Sequence, residues 1–325
     1  MGLPGHAQTA IVTTPDARRH AARRYKMLFI LTRSDVKLLS FGSRGGERPA
    51  VLLADGRCLD LSRALPGAPA SWRRILDAGR LAEVRRLAEE GGFDPGAALS
   101  LEDLRLAPPV PDPSKIVCLG LNYRDHCEEQ GKPLPERPLL FAKAPSALAG
   151  HGEDVVLPDD EPEADYEAEL AFVVARRARN VPAARAGDYV LGYTILNDVT
   201  GRRAQRTEGQ WLRAKGFDTF APMGPWIVTA DELPDSPALD IRSFVNGEPR
   251  QASNTRELVF GVPFLVEHIT RSMTLEAGDV VSTGTPGGVG AHRDPPVFLR
   301  AGDVMRVEIE GVGVLENPVA ARLSG

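Results

Sequence analysis

Apolar and polar positions along this chain follow two periods. In "DVMRVEIEG", Met305, Val307 and Ile309 alternate with Arg306, Glu308 and Glu310. Successive side chains of a strand point to opposite faces, so this pattern predicts a strand with one wet face. Val36 to Phe41, Ala50 to Leu53 and Cys58 to Leu61 are short β-like runs between Gly-rich turns, with Asp55-Gly56 as a hairpin signal. The period then lengthens. Trp72, Ile75 and Leu76, then Leu81, Val84 and Leu87, stand at three- and four-residue spacing before Gly91-Gly92, predicting helix with a core-facing stripe and no cofactor role. "APPVPDPSK", residues 107 to 115, holds four prolines and can propagate neither a helix nor a central strand. A boundary is expected there, between a small N-terminal α/β domain (27–108) and a larger one (109–325).

Beyond the boundary, "KIVCLG", "ELAFVV", "YVLGYTILN", "PWIVT", "IRSFVNGE" and "DVVSTGT" predict short strands. One helix is expected over about 256–272, capped by Asn254 or Thr255, with Pro263 either kinking it or marking its start. The fold class expected is α+β, mostly β, with mixed, curved sheets.

The chain has 325 residues, 42% of them hydrophobic, enough for a sizeable core. Its net charge of -5 provides no electrostatic footprint for nucleic acid. The charge is uneven: residues 1–26 carry Arg18, Arg19, Arg23, Arg24 and Lys26 against Asp16, a +4 stretch that leaves -9 for the rest. The apolar run that follows, "MLFIL", is too short for a secretory signal and no small-residue cleavage site follows it, so a disordered basic extension or an upstream start is expected. No segment approaches the roughly 20 apolar residues of a membrane helix. Cys58, Cys118 and Cys127 are odd in number and form no C-x-x-C pair, which favours a reducing cytoplasm over a disulfide framework or thiolate zinc site.

The candidate chemistry begins at "EADYEAELAFVV", where Glu167 and Glu169 would share one face of a strand with Cβ atoms about 6 to 7 Å apart. If buried, such a pair must take up a proton, find a cation or bind a metal; if exposed, it is an ordinary solvated face. "GYTILNDVTGRRAQ" supplies a further carboxylate, Asp198, at the end of another apolar strand. Three oxygen ligands without clustered His or Cys suit Mg²⁺, Mn²⁺ or Ca²⁺ rather than zinc, and about three positions of an octahedron stay open for water and a chelating substrate. Asp165 shares the phase but precedes the regular strand, which makes it the weakest ligand candidate.

In "GLNYRDHCEEQGKP", His126 and Glu129 stand three apart, so on one helical turn the carboxylate would orient the imidazole as a water-activating dyad. A solvated surface histidine fits the same letters. Cys127 reads as a bystander, and Gly131, Pro133 and Pro135 suggest an irregular lid. "STGTPGGVG", with Gly284 and Thr285, lacks the ending of a phosphate loop and reads instead as a backbone clamp for a substrate carboxylate. Lys143 and Lys215 are possible cationic partners for the substrate acid.

Together "GLNYRDH", "DYEAELAFVV", "GYTILNDVT", "GQWLRAKGFDTFAPMGPWIVT", "VNGE", "TLEAGDVVSTGTPGGVG" and "LRAGDVMRVEIEGVGVLEN" resemble the fumarylacetoacetate hydrolase family over about residues 109–320. The N-terminal strands and "PPVFLRAGD" look most like its branch of diketo-deoxy sugar-acid hydrolases and their animal relatives. The resemblance implies the family's curved β-sandwich or roll, a homodimer, Mg²⁺ or Mn²⁺ at Glu167, Glu169 and Asp198, and a lid dyad at His126 and Glu129. It also implies a lysine near the metal at Lys215 and substrate contacts at Gln205 and Thr285. "TGRRAQ" departs from the family pattern: Arg202 and Gln205 are kept, while Gly201 and Arg203 replace Ala and Asp. That charge reversal bears on substrate preference. The expected reaction is hydrolysis of a C–C bond in an acylpyruvate to pyruvate and a carboxylic acid, with oxaloacetate decarboxylation and keto-enol tautomerisation or isomerisation as alternatives on the same scaffold. A non-catalytic β protein binding Ca²⁺ or a small acid is the reading from another class.

Overall fold

The computed structural model describes residues 36–233 and 237–322. The expected basic extension at 1–26 and the "MLFIL" run lie outside the described residues. In chain order, the strands used below are β1 (Lys37–Phe41), β2 (Arg48–Leu52), β3 (Arg57–Asp60), β4 (Ile116–Gly120), β5 (Leu139–Lys143), β6 (Ala168–Val174) and β7 (Val190–Asn197). They continue as β8 (Ala221–Thr229), β9 (Asp240–Val245), β10 (Glu248–Asn254), β11 (Val280–Ser282), β12 (Val304–Ile309) and β13 (Gly313–Ala321). The helices used below are α1 (Trp72–Asp77), α2 (Leu81–Glu90), α3 (Arg124–Glu129), α4 (Arg202–Thr207), α5 (Trp211–Gly216) and α6 (Val262–Ser272).

A twelve-stranded sheet runs through β3-β2-β1-β8-β7-β6-β11-β4-β5, and a five-stranded sheet contains β10-β9-β12-β13. β11 pairs with β4 in parallel while β6 pairs with both β7 and β11 antiparallel, so the large sheet is mixed. The class is α+β and mostly β. Along β12, Met305, Val307 and Ile309 are buried between more exposed neighbours, the period-two pattern of a half-wet strand. β6 is buried along its whole length.

The proline-rich segment at 107–115 is a boundary in composition and not a break in the sheet. β1 pairs with β8 through Lys37 opposite Val228 and Leu38 opposite Ile227. One apolar cluster joins Leu38, Leu59 and Trp72 to Ile116, Val173 and Ile227, because a hairpin too small to bury its own face must cover it against a neighbour. The helical stripe at 72–87 is two helices rather than one. Gly79, at φ +68°, ends the first turn run, and α2 starts afresh at Leu81. Trp72, Ile75 and Val84 are core residues as expected. Pro263 marks the start of α6 and does not kink it; Asn254 caps the short 3₁₀ turn that precedes it.

Trp72 is fully buried and donates its indole N–H to the Leu39 carbonyl at 2.8 Å. Trp72→Ala should cost about 3 to 5 kcal/mol, read as a lower urea midpoint at unchanged slope. His151 accepts the Glu316 N–H on Nδ1, and burial, helped by nearby Arg306, pulls its pKa down to about 4. A base depressed below its unfolded value near 6.5 leaves stability intact above that pH and removes it as pH falls towards 4, here by about 2 to 3 kcal/mol. His151→Gln, which keeps an acceptor but does not titrate, should show a smaller loss of urea midpoint between pH 7 and 4.5 than the parent; an equal loss would contradict this.

Candidate active site

The acids are brought together by strand register. β6 and β7 run antiparallel with Ala168 opposite Asn197 and Glu169 opposite Leu196. One step further along the same ladder Asp198 falls opposite Glu167, and the Asp198 N–H donates to the Glu167 carbonyl at 2.9 Å. Carboxylate oxygens of Glu167, Glu169 and Asp198 lie within 4.8 Å of one another, all three buried. Asp165 lies outside this group. It receives Gly290 N–H at 2.7 Å, Ala291 N–H at 3.0 Å and the Arg202 guanidinium at 2.8 Å, so its lone pairs are used in bracing the loop after β11.

Three buried cations surround the triad. Lys215 Nζ bridges Glu167 Oε2 at 2.6 Å and Asp198 Oδ2 at 2.7 Å. Lys143 Nζ holds Asp198 Oδ1 at 2.6 Å and the Val199 carbonyl at 3.0 Å. Arg202 joins Asp165 to Glu167 Oε1, the latter at 2.6 Å. Burial alone would raise the Glu167 pKa, but Lys215 and Arg202 outweigh it and hold the group ionised well below the usual range. Lys215 is the mirror case, with burial opposed successfully by Asp198 and Glu167, so it stays charged. Lys143, more deeply dominated by burial, is lowered despite Asp198.

Glu169 is the acid left over. Counting Asp165, four carboxylates (Asp165, Glu167, Glu169, Asp198) face three cations (Lys143, Arg202, Lys215), and among the described residues no cation forms an ion pair with Glu169. It receives the Ser282 hydroxyl and the Gly284 N–H at 3.0 Å, both on Oε2. Oε1 has no hydrogen-bond donor among the described residues. Burial, then Asp198 and Glu167, push its pKa well up. A divalent cation among these oxygens removes that penalty, and an all-oxygen donor set with three carboxylates suits Mg²⁺ or Mn²⁺. The residues present therefore fit a hard metal ion.

α3 places His126 in the site. His126 is buried, with Nδ1 3.0 Å from Glu129 Oε2 and Nε2 2.7 Å from Gln130 Nε2. Lys132 Nζ donates to Gln130 Oε1 at 2.6 Å, which turns the Gln130 amide N–H₂ towards the imidazole. Nε2 is thus an acceptor, and Nδ1 carries the proton to Glu129. Burial would raise Glu129, but its bonds from His126 and from Gly288 N–H at 2.8 Å prevail and keep it ionised. His292 sits edge-on to His126 with ring centroids 6.0 Å apart. Cys127 is buried and its thiol donates to the Leu121 carbonyl; burial pushes its pKa up, away from the thiolate a nucleophile requires.

Two expectations about substrate contacts change. The Gly-rich loop after β11 does clamp carboxylates, but they are the protein's own: Gly284 serves Glu169, Gly287 serves Asp125 at 3.4 Å, Gly288 serves Glu129 and Gly290 serves Asp165. Those amides are engaged in holding the site and not offered to a ligand. Lys143 likewise is spent on Asp198, fully desolvated, where an unpaired ammonium would be costly. Thr285 donates its hydroxyl to the Ala168 carbonyl at 3.0 Å and is buried. Gln205 keeps its amide N–H₂ free of the Arg202 bond, which falls on Oε1 at 3.0 Å. Sequence reasoning missed Ser282, Asp125, Gln130 and Gln251; only the hydroxyl one step before "TGT" offered any signal, and that a weak one.

Residues 115–320 match the family model for the fumarylacetoacetate (FAA) hydrolase C-terminal region. A mitochondrial oxaloacetate tautomerase of Xenopus laevis is 40% identical over 289 residues, covering 87% of this chain and 90% of that one. Among solved structures, a fumarylacetoacetate hydrolase from psychrophilic Exiguobacterium antarcticum superposes with a TM-score of 0.76 at 36% identity, covering 88% of this chain and 100% of its own. A maleylpyruvate hydrolase from Sphingobium sp. SYK-6, in complex with manganese(II) and pyruvate, gives 0.71 at 32% identity, with 88% and 99% covered. No helix among the described residues is long and apolar enough to cross a membrane.

Proposed function

The chain belongs to the fumarylacetoacetate hydrolase family, and from that premise we propose that it is a divalent-metal-dependent enzyme that hydrolyses a C–C bond in a 2,4-dioxo acid of the acylpyruvate type. The products are pyruvate and a carboxylic acid. The observation that carries this reading is the convergence of Glu167, Glu169 and Asp198 with one acid, Glu169, left without an ion-pair partner among the described residues. The manganese and pyruvate in the maleylpyruvate hydrolase support the same choice of metal and product.

Glu167, Glu169 and Asp198 would hold Mg²⁺ or Mn²⁺, which would supply Lewis acidity for the 2-oxo acid end of the substrate. The remaining work falls to side chains. His126 takes the proton of the attacking water on Nε2 while Glu129 steadies the imidazolium through Nδ1–H. Gln130 has to release Nε2 for this, since its amide occupies that position in the structure. Water adds at C4, the C3–C4 bond breaks with its electron pair passing to C3, and the proton returns to C3 to complete pyruvate. Lys215 keeps Glu167 ionised and, bonded to both, holds Glu167 and Asp198 aligned, and Gln205 directs its free N–H₂ to a substrate oxygen. Thr285, its donor already used on the Ala168 carbonyl, braces the strand that carries Glu167 and Glu169.

Keto-enol tautomerisation of oxaloacetate is the second reading, favoured by the activity named for the Xenopus relative. It needs the same proton transfer without attack by water. The family membership also supports a homodimer, and the three buried, unpaired cysteines support a reducing compartment, for which the cytoplasm is our assignment. Acylpyruvates, sugar-derived diketo acids and oxaloacetate followed by NMR in H₂¹⁸O, with Mn²⁺ and with chelator, separate these readings. Hydrolysis places solvent oxygen in the released acid. Tautomerisation changes the keto-enol ratio with no cleavage, and silence on every substrate in Mn²⁺-replete buffer defeats both.

A further inference from the structure

β10 carries a glutamine with no obvious reason to be buried. Gln251 is 2% exposed, and each side of its amide is used. Oε1 receives the Ala168 N–H at 3.0 Å and the Ser243 hydroxyl at 2.8 Å. Nε2 donates to Thr285 Oγ1 at 2.7 Å and to the Pro286 carbonyl at 2.9 Å. The Ala168 N–H cannot accept, so the amide has one orientation only.

These four bonds join the two halves of the site. Ala168 is the residue between Glu167 and Glu169, so the acceptor side of Gln251 fixes the backbone from which both acids project. The donor side fixes Thr285 and Pro286. Immediately beyond them, Gly287 N–H donates to Asp125 and Gly288 N–H to Glu129, the carboxylates on either side of His126 on α3. Asp125 is tied in addition to Ser253, two residues from Gln251 on the same strand. A buried polar network with every member satisfied is rigid, and cutting one member leaves several orphans.

We propose that Gln251 is a positioning residue that sets the spacing between the carboxylate triad and the His126–Glu129 dyad by gripping the triad strand with its carbonyl and the dyad's loop with its N–H₂. The proposal rests on the reading of those two groups as metal ligands and general base. It does not require that the substrate be identified.

Two variants test it by readouts other than turnover. Gln251→Met has similar length and removes both grips. It should weaken Mn²⁺ binding, measured by calorimetry, about 10- to 100-fold, the usual effect of losing a partner behind the ligands, and should speed amide hydrogen exchange across residues 284–289. Gln251→Glu retains an acceptor for Ala168 and Ser243 but cannot donate to both Thr285 and Pro286. It should bind Mn²⁺ within about threefold of the parent while exchanging faster at 284–289. Parental exchange in Gln251→Glu, or Mn²⁺ binding as weak as that of Gln251→Met, overturns the proposal, as does a folded Gln251→Met with parental values of both. If Gln251→Met does not fold, Gln251→Glu decides alone through its exchange. Parental protein that binds no Mn²⁺ refutes the metal reading instead, and the exchange data then judge the loop grip separately.

Discussion

Glu169→Gln should abolish turnover on every substrate the parent accepts and weaken Mn²⁺ binding by at least about 100-fold, beyond the 10- to 100-fold typical of an outer partner. The expectation follows from the charge balance. Glu167 and Asp198 already share Lys215, Arg202 and Lys143, so the negative charge available to attract a further cation resides on Glu169. A glutamine can keep its carbonyl towards Ser282 and Gly284 and turn its N–H₂ to the other two acids. The metal-free variant should therefore lose no stability, since the charge removed is the one that burial opposes. Calorimetric titration with Mn²⁺ and thermal unfolding in chelator give both readouts; near-parental turnover in metal-replete buffer defeats the assignment of Glu169 as ligand.

His126→Ala should leave Mn²⁺ affinity within a few-fold and lower the hydrolytic rate by about 10² to 10⁴, the range for loss of a general base. The two effects separate because His126 is held by Glu129 and Gln130, and its hydrogen bonds do not reach the triad. Glu129 keeps its bond from Gly288 in the variant, so α3 stays seated on the loop. Steady-state kinetics at saturating Mn²⁺ check the rate, and an unchanged rate removes His126 from the mechanism.

The fold was legible wherever burial has a local period. β12 could be read from alternation, because a strand's two faces are set by nearest neighbours in sequence, whereas the first three strands, buried along nearly their whole length, could be read only as short apolar runs between Gly-rich turns. The stripe at 72–87 was read correctly as helical and core-facing, and it falls into two helices because Gly79 adopts a left-handed conformation between them. Composition at 107–115 marked a boundary that the sheet ignores, because β1 completes its pairing with β8, far away in the chain.

For the site, residue types and motif order identified which acids and which imidazole to consider, and chain chemistry alone determined that three carboxylates without a soft ligand would want a hard cation. Their partners were another matter. Lys143 and the amides of Gly284, Gly287, Gly288 and Gly290 read as groups waiting for a substrate, whereas each satisfies a carboxylate of the protein itself. Gln251 gave no signal at all. A side chain's identity is local, but a buried charge or amide takes whichever partner the register between distant strands sets within about 3 Å, and that register exists only once β6, β7, β10 and β11 have packed.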